Sequence, residues 1–275
     1  MSVHELAFPR PVKARFSVGR LIFLVLASLL VLFLSLPLVA LVVRALPLGL
    51  DAWLAPATLD ALQLSLITAS LATLIAFGVG TPVAFLLARE NFRGKKIVDT
   101  LIDLPMVLPP AVAGLALLMA FGRRGLLGAT LSFFGIELPF TTAAVILAET
   151  FVAAPFYVRS AKAGFGAVDR KLEQMSELLG VSSFRTFLRV TLPLAAPLLF
   201  GGLLMTWARA LGEFGATIMF AGNFPGRTQT MPLAIYSGLE TNLDSALALA
   251  VFLVIVSFGI LFAVRAVSPK GITLG

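Results

Sequence analysis

The chain has 275 residues, of which 59% are hydrophobic and only 13% are charged, and its formal net charge is +7. Soluble domains carry about 25% charged residues, so most of this surface must face lipid. Cysteine is absent and histidine occurs once, which excludes disulfides, thiol nucleophiles and cysteine-containing zinc sites. We therefore expect an integral membrane protein with no catalytic residues and no metal site of its own.

Six apolar runs are long enough to cross about 30 Å of hydrocarbon, which takes roughly 20 helical residues. In chain order they cover residues 21–43, 59–88, 101–121, 140–163, 192–220 and 246–267. Pro105, Pro109 and Pro110 should break or kink the third run, because each proline removes a helical hydrogen bond. The bilayer tolerates such a break only where protein or a cavity satisfies the freed carbonyls. The predicted fold is all-α, with one transmembrane domain over residues 1–275.

Positive charge is distributed unevenly between the two sides of this topology. Six spans put both termini, the loop after the second span and the loop after the fourth on one side. That side holds most of the lysines and arginines, including the cluster Arg93, Lys95 and Lys96. Because cytoplasmic loops carry the excess of basic residues, we predict an inner-membrane protein with cytoplasmic termini, including the tail 1–19. The basic clusters alternate with apolar runs, so they indicate topology rather than nucleic-acid binding.

The loop after the fourth span, residues 166–192, has an amphipathic pattern of its own. Its apolar positions at helical spacing are Leu172, Met175, Leu178 and Leu179. We expect a short helix across the end of the bundle, ended by Gly180, with its polar and acidic side free to meet a partner. A second amphipathic stretch follows over residues 184–188, and Pro193 should open the fifth span. An ordinary interfacial helix between two spans would give the same pattern.

The same loop resembles the cytoplasmic loop signature of ABC importer permeases, E-A-A-x3-G-x9-[IV]-x-L-P. Gly180 supplies the glycine, and residues 190–193, Val-Thr-Leu-Pro, complete the signature at the required spacing. The head departs from it, because residues 174–176 read Gln-Met-Ser where the family has Glu-Ala-Ala. The resemblance implies that residues 169–189 couple the spans to a cytoplasmic ATPase. The residues that it implicates are Glu173, Gln174, Met175, Ser176, Glu177, Gly180, Val181 and Arg185.

Two further segments resemble the permeases of the molybdate/sulfate oxyanion family, and the molybdate permeases most. Residues 208–217 read Ala-Arg-Ala-Leu-Gly-Glu-Phe-Gly-Ala-Thr, and residues 222–236 contain Pro-Gly-Arg-Thr-Gln-Thr. The resemblance implies a homodimer of permeases, two cytoplasmic ATP-binding subunits and an extracytoplasmic oxyanion-binding protein. ATP and Mg²⁺ would bind the partner ATPase, since this chain lacks the phosphate-cradling pattern G-x4-G-K-[ST].

Other classes of function stay open at this point. Within the family, a sulfate or tungstate permease is the alternative, because all three oxyanions are tetrahedral dianions. A secondary transporter is a more distant alternative, since it would normally have more spans and an inverted repeat.

Among the ionisable residues inside predicted spans, three are candidates for a functional role. Arg209 and Glu213 are four residues apart, so one helix face would carry both. An arginine at the centre of a span costs about 2.5–3.5 kcal/mol on insertion scales, so such groups pair or line a cavity. We expect Arg209 and Glu213, with Glu149 as a weaker candidate, to line the translocation pathway. A structural ion pair between helices is the alternative.

The loop 222–230 falls on the outer side of the predicted topology. It is rich in glycine, proline, asparagine and threonine, which is typical of an irregular connection. It would either line an outer gate or dock the binding protein. The polar residues available for either role are Asn223, Arg227, Thr228 and Gln229.

Overall fold

The computed structural model describes residues 18–267, and every regular element in that range is helical, which confirms the all-α class. The helices are α1 (Val18–Ala45), α2 (Leu50–Trp53), α3 (Pro56–Arg89), α4 (Lys95–Val107), α5 (Pro110–Phe121), α6 (Gly128–Phe133), α7 (Thr142–Ala167), α8 (Arg170–Leu178), α9 (Ser183–Thr186), α10 (Leu192–Leu211), α11 (Gly215–Ala221), α12 (Met231–Thr241) and α13 (Leu243–Val267). A π-helical turn, Phe187–Thr191, joins α9 to α10.

The described chain divides at Arg44 into two units. The first unit consists of α1, which has a mean hydropathy of 2.9 and is long enough to cross a membrane. This helix agrees with the predicted first span, residues 21–43. Of the predicted cytoplasmic tail, residues 1–19, all but the last two lie outside the described residues.

By length and composition, five helical segments in residues 18–267 can cross a membrane, and six if α4 and α5 form one broken span. The five are Gly19–Ala45, Leu50–Arg89, Thr142–Ala167, Ser183–Leu211 and Leu243–Ala263. The prediction of about six spans is therefore confirmed. The second, fourth and sixth predicted runs correspond to α3, α7 and α13.

The third predicted span is broken at its prolines, as expected. The axes of α4 and α5 turn by 119° between Leu108 and Pro110. A residue that precedes a proline is pushed out of the helical region, and Leu108 and Pro109 each precede one. Both have ψ near 135°, which is extended backbone. Pro110 then opens α5, because a helix start does not need the missing N–H.

The fifth span differs from its prediction at both ends. It begins at Ser183 instead of residue 192, since α9, the π turn and α10 form one continuous segment. Pro193 lies in the first turn of α10, as predicted, and α9 and the π turn precede it in the same segment. The segment ends at Leu211, before the predicted limit at residue 220, and α11 follows as a separate helix packed on α5. The predicted connection 221–245 also contains a helix, α12, which packs against α13.

Small residues line the contacts among α3, α7 and α10. Ala72 of α3, Ala153 of α7 and Ala210 of α10 are fully buried in one cluster. A Cβ at Gly80 of α3 would lie 3.0 Å from the ring of Tyr157 on α7, so these helices approach closely. Lipid is as apolar as this core, so close packing of small residues is what holds such helices together.

The contact between α5 and α11 depends on Gly114. A Cβ there would lie 2.8 Å from the carbonyl oxygen of Ala216, a backbone atom that cannot move aside alone. We expect Gly114→Val to destabilise the purified protein by about 1–3 kcal/mol, as overpacking does. Thermal unfolding in detergent measures the loss. Gly201→Val is the control, because no atom lies within 4 Å of a Cβ at Gly201, and equal unfolding temperatures would contradict the packing argument.

Candidate functional site

The segment between the fourth and fifth spans forms α8, a nine-residue helix with hydrogen bonds at both ends. The side chain of Asp169 caps its N-terminus. At its C-terminus, the N–H of Gly180 donates to Glu177 O at 2.9 Å and that of Val181 to Ser176 O at 3.2 Å, a Schellman motif. Gly180 has φ +82°, which glycine adopts without steric cost. The predicted helix over residues 172–179, ended by Gly180, is confirmed.

The outward surface around α8 carries both apolar and polar side chains. Its exposed apolar side chains are Leu172, Met175, Leu178, Leu179 and Phe184, and we call this set the apolar face of α8. Gln174, Glu177 and Arg185 are also exposed. The expectation of a free acidic side is wrong for Glu173, whose side chain is only 17% exposed. The reason is that Glu173 points towards the spans and is bound there.

Glu173 links α8 directly to two spans through one carboxylate oxygen, and to a third through Arg89. Its Oε1 accepts hydrogen bonds from Arg89 Nη2 and from Thr191 Oγ1, each at 2.7 Å. The same Arg89 nitrogen donates to the carbonyl oxygen of Val168 at 3.1 Å. Arg89 ends α3, Val168 follows α7 and Thr191 closes the π turn before α10. Sequence reasoning missed Arg89 and Thr191, because nothing in their local pattern marks a partner elsewhere in the chain.

Arg209 and Glu213 form an ion pair at the break between α10 and α11. Arg209 Nη1 lies 2.5 Å from Glu213 Oε2, and Glu213 is 1% exposed whereas the arginine side chain is 32% exposed. Glu213 Oε1 also accepts a hydrogen bond from Ala216 N at 2.8 Å, which caps the start of α11. The expectation that both residues share one helix is wrong, since α10 ends at Leu211. The pairing itself is present.

Glu149 lies buried on α7, the third of the predicted pathway residues. Its Oε1 accepts a hydrogen bond from Thr68 Oγ1 of α3 at 2.9 Å, and its Oε2 has no partner among the described residues. Of the three predicted residues, Arg209 and Glu213 are therefore paired, and Glu149 joins α7 to α3.

The loop 222–230 is held together by its own hydrogen bonds. Phe224 O accepts from the N–H groups of residues 227–229, and Phe224 N donates to Thr228 Oγ1 at 3.0 Å. Asn223 Nδ2 donates to Ser237 Oγ of α12 at 2.7 Å. Thr228 is fully buried, Asn223 and Gln229 are half-buried, and Arg227 is exposed. Of the four predicted residues, only Arg227 therefore presents an exposed side chain to a partner.

The burial of Thr228 makes a test of its structural contribution possible. We expect Thr228→Val to lower stability by about 0.5–1.5 kcal/mol, because the part-buried N–H of Phe224 loses its acceptor. Thermal unfolding of the purified protein is the measurement, and Arg227→Gln is the comparison, since its side chain is exposed. A variant as stable as the wild type would show that water replaces the hydroxyl.

Two acid–base pairs join α4 to α7, and sequence analysis did not anticipate them. Lys162 Nζ lies 2.6 Å from both carboxylate oxygens of Asp99, and Arg159 Nε lies 3.3 Å from Asp103 Oδ1. Asp99 and Asp103 are spaced so that both lie on one face of α4, and Arg159 and Lys162 so that both lie on one face of α7. That complementary spacing was the available signal, and it became meaningful only once the two helices were known to be neighbours.

Comparison with known proteins gives consistent matches. A family model described as "Binding-protein-dependent transport system inner membrane component" matches residues 80–270. The molybdenum transport system permease protein ModB of Mycobacterium tuberculosis is 41% identical over 242 residues, covering 88% of this chain and 92% of that protein. ModB of Haemophilus influenzae is 44% identical over 184 residues, covering 66% and 80%.

Solved structures agree on the fold. A bacterial ABC transporter involved in alginate import superposes with a TM-score of 0.70 at 18% identity, covering 90% of this chain and 95% of that chain. The MetNI methionine ABC transporter has a TM-score of 0.57 at 21% identity, covering 77% and 96%. With the helical bundle, the loop of α8 and the family match over most of the sequence, the chain belongs to the inner membrane components of binding-protein-dependent transport systems, the permease subunits of ABC importers.

Proposed function

We propose that this chain is the permease subunit of an ATP-driven importer of molybdate. The observation that supports molybdate as the substrate is the 41% identity of this chain to a molybdenum transport system permease, along 92% of that protein. Five relatives of that name, from Mycobacterium, Haemophilus and Escherichia, are 41–44% identical to this chain. The helical fold alone does not specify an oxyanion, since the alginate importer shares it.

The importer would contain two copies of this chain, two cytoplasmic ATP-binding subunits and an extracytoplasmic oxyanion-binding protein. A solved alginate transporter with this fold is in complex with a substrate-bound periplasmic protein, which supports the third partner. ATP and Mg²⁺ belong to the partner ATPase, because this chain has no phosphate-binding loop.

We place the end of the bundle that carries α8 in the cytoplasm. Basic residues concentrate at this end, in the loop around Arg93 and Lys95 and in α8 itself, with Arg170 and Lys171. Short cytoplasmic loops carry such an excess. The apolar face of α8 would then meet the ATPase, where burial of each leucine contributes about 1.5–3 kcal/mol.

Arg209, Glu213 and Glu149 would lie on the translocation pathway. The guanidinium of Arg209 is partly exposed, whereas both carboxylates are buried, so a passing dianion would meet the positive group first. A guanidinium binds tetrahedral oxyanions through paired hydrogen bonds. Glu213 competes for the same group, which would keep the anion from binding too tightly to leave.

The test is uptake of radiolabelled molybdate into proteoliposomes. They would contain this chain with its ATPase, ATP inside and the molybdate-loaded binding protein outside. We expect uptake that requires ATP hydrolysis. If sulfate or tungstate is taken up and molybdate is not, the assigned substrate is wrong but the ATP-driven mechanism stands. Uptake on an ion gradient without any ATPase would overturn the importer and favour a secondary transporter.

A further inference from the structure

We propose that Glu173 is a positioning residue that fixes α8 to the spans and passes its movement to them without touching the ATPase. The inference rests on the proposed function, and it assigns the same positioning role to Arg89 and Thr191, which bind Glu173. We call these three residues the Glu173 brace.

The brace is largely shielded from a partner subunit. The side chains of Arg89 and Glu173 are 8% and 17% exposed, and Thr191 is 1% exposed. Both contacts to Glu173 Oε1 are 2.7 Å long, a distance typical of strong hydrogen bonds to a charged group. A carboxylate in this position acts through its neighbours within the chain.

The two sides of α8 make different contacts. Glu173 and Ser176, three apart on one face, are bound to the bundle, and Ser176 Oγ lies 2.9 Å from Thr186 Oγ1 of α9. Arg170 donates a further hydrogen bond to the carbonyl oxygen of Arg89. The other side exposes Leu178 and Leu179 together with Gln174 and Glu177. A helix that is hydrogen-bonded to the bundle on one side and exposed on the other can act as a lever between two proteins, because each side is held by a different partner.

The brace also resists separation of α8 from the spans. Arg89 Nε is buried without a partner among the described residues, so loss of Glu173 would leave a buried guanidinium with its charge uncompensated. The carboxylate therefore keeps α3, α10 and the end of α7 tied to α8 while α8 moves. A displacement of α8 by the ATPase would displace three spans together.

The experiment compares molybdate transported per ATP hydrolysed in the complete reconstituted complex. The variants are Glu173→Gln, Arg89→Gln and the milder Thr191→Val. The control is Glu137→Gln, which removes an ion pair of the same 2.7 Å length between exposed side chains, Arg123 and Glu137. Assembly with the ATPase and basal ATP hydrolysis are measured for each variant, so that a loss of structure is separated from a loss of coupling.

We expect the ratio to fall about tenfold in Glu173→Gln and in Arg89→Gln, with assembly and basal hydrolysis retained. Thr191→Val should lower it about fivefold, as for one hydrogen bond, and it remains informative if the other two variants fail to assemble. The double variant of Glu173 and Arg89 should lower the ratio no further than either single variant, because all three variants remove the same interaction. The Glu137→Gln control should match the wild type.

Two results would overturn the inference. Normal coupling in Arg89→Gln beside lost coupling in Glu173→Gln would mean that Glu173 contacts the ATPase directly. Normal coupling in all three variants would mean that the brace only stabilises the fold. A wild-type complex without ATP-dependent molybdate uptake would instead overturn the proposed function, and the inference with it.

Discussion

Gly180→Pro is expected to abolish the stimulation of ATP hydrolysis by the substrate-loaded binding protein. Gly180 has φ +82°, whereas a proline ring fixes φ near −65°. The substitution also removes the N–H that donates to Glu177 O, so the Schellman motif cannot form. α8 would lose its defined end and its orientation, and the apolar face would no longer be presented to the ATPase. ATP hydrolysis by the reconstituted complex, with and without the binding protein, is the measurement.

Gly180→Asn is the matched control for this effect. Asparagine tolerates the left-handed conformation better than other side chains, and no atom lies within 4 Å of a Cβ at this position. We expect it to retain most of the stimulation. Stimulation lost in the proline variant while the complex stays assembled would support α8 as the coupling element. Full stimulation in the proline variant would remove α8 from the mechanism.

Arg209→Met is expected to destabilise the protein by about 3–5 kcal/mol, because it leaves the buried carboxylate of Glu213 without its partner. Glu213 is 1% exposed, so water cannot replace the guanidinium. Glu213→Gln should cost less, since the partly exposed Arg209 can be hydrated and the glutamine oxygen can still accept from Ala216 N. Thermal unfolding of the two variants gives the comparison, and an equal loss in both would contradict it.

The double variant of Arg209→Met with Glu213→Gln separates the structural role of this pair from a role in transport. It removes both charges, so the penalty for a buried unpaired carboxylate disappears and the complex should assemble. If Arg209 lines the pathway, molybdate uptake by the assembled complex should still fall about tenfold or more, which reflects the loss of a charged hydrogen bond to the oxyanion. Normal uptake would leave the pair with a structural role alone.

The sequence determined the structural elements that depend only on residues close together in the chain. Long apolar runs predicted the spans, because lipid accepts only hydrogen-bonded helices of sufficient length. Pro109 and Pro110 predicted the break in the third span, since the conformation before a proline is restricted whatever the surroundings. Gly180 predicted the end of α8, because a left-handed residue after an amphipathic helix needs glycine.

The structure decided what depends on neighbours that are distant in the chain. Nothing in the sequence around Glu173 indicates that Arg89 will lie beside it. Glu173 was therefore predicted to face a partner, whereas it binds Arg89 within the chain. The fifth span ended at Leu211, and not at residue 220, because Glu213 is held by Arg209 and caps α11, which packs on α5. Hydropathy could not show this, since residues 212–220 are almost as apolar as a true span.

The sequence therefore determined the class of protein, the number of spans and the position of α8. The tertiary structure alone decided which charges pair, which face of α8 is exposed and where the fifth span stops. The physical reason is that hydrophobicity and backbone restriction act within a few residues. Burial of a charge, by contrast, is tolerated only where another part of the chain supplies its partner.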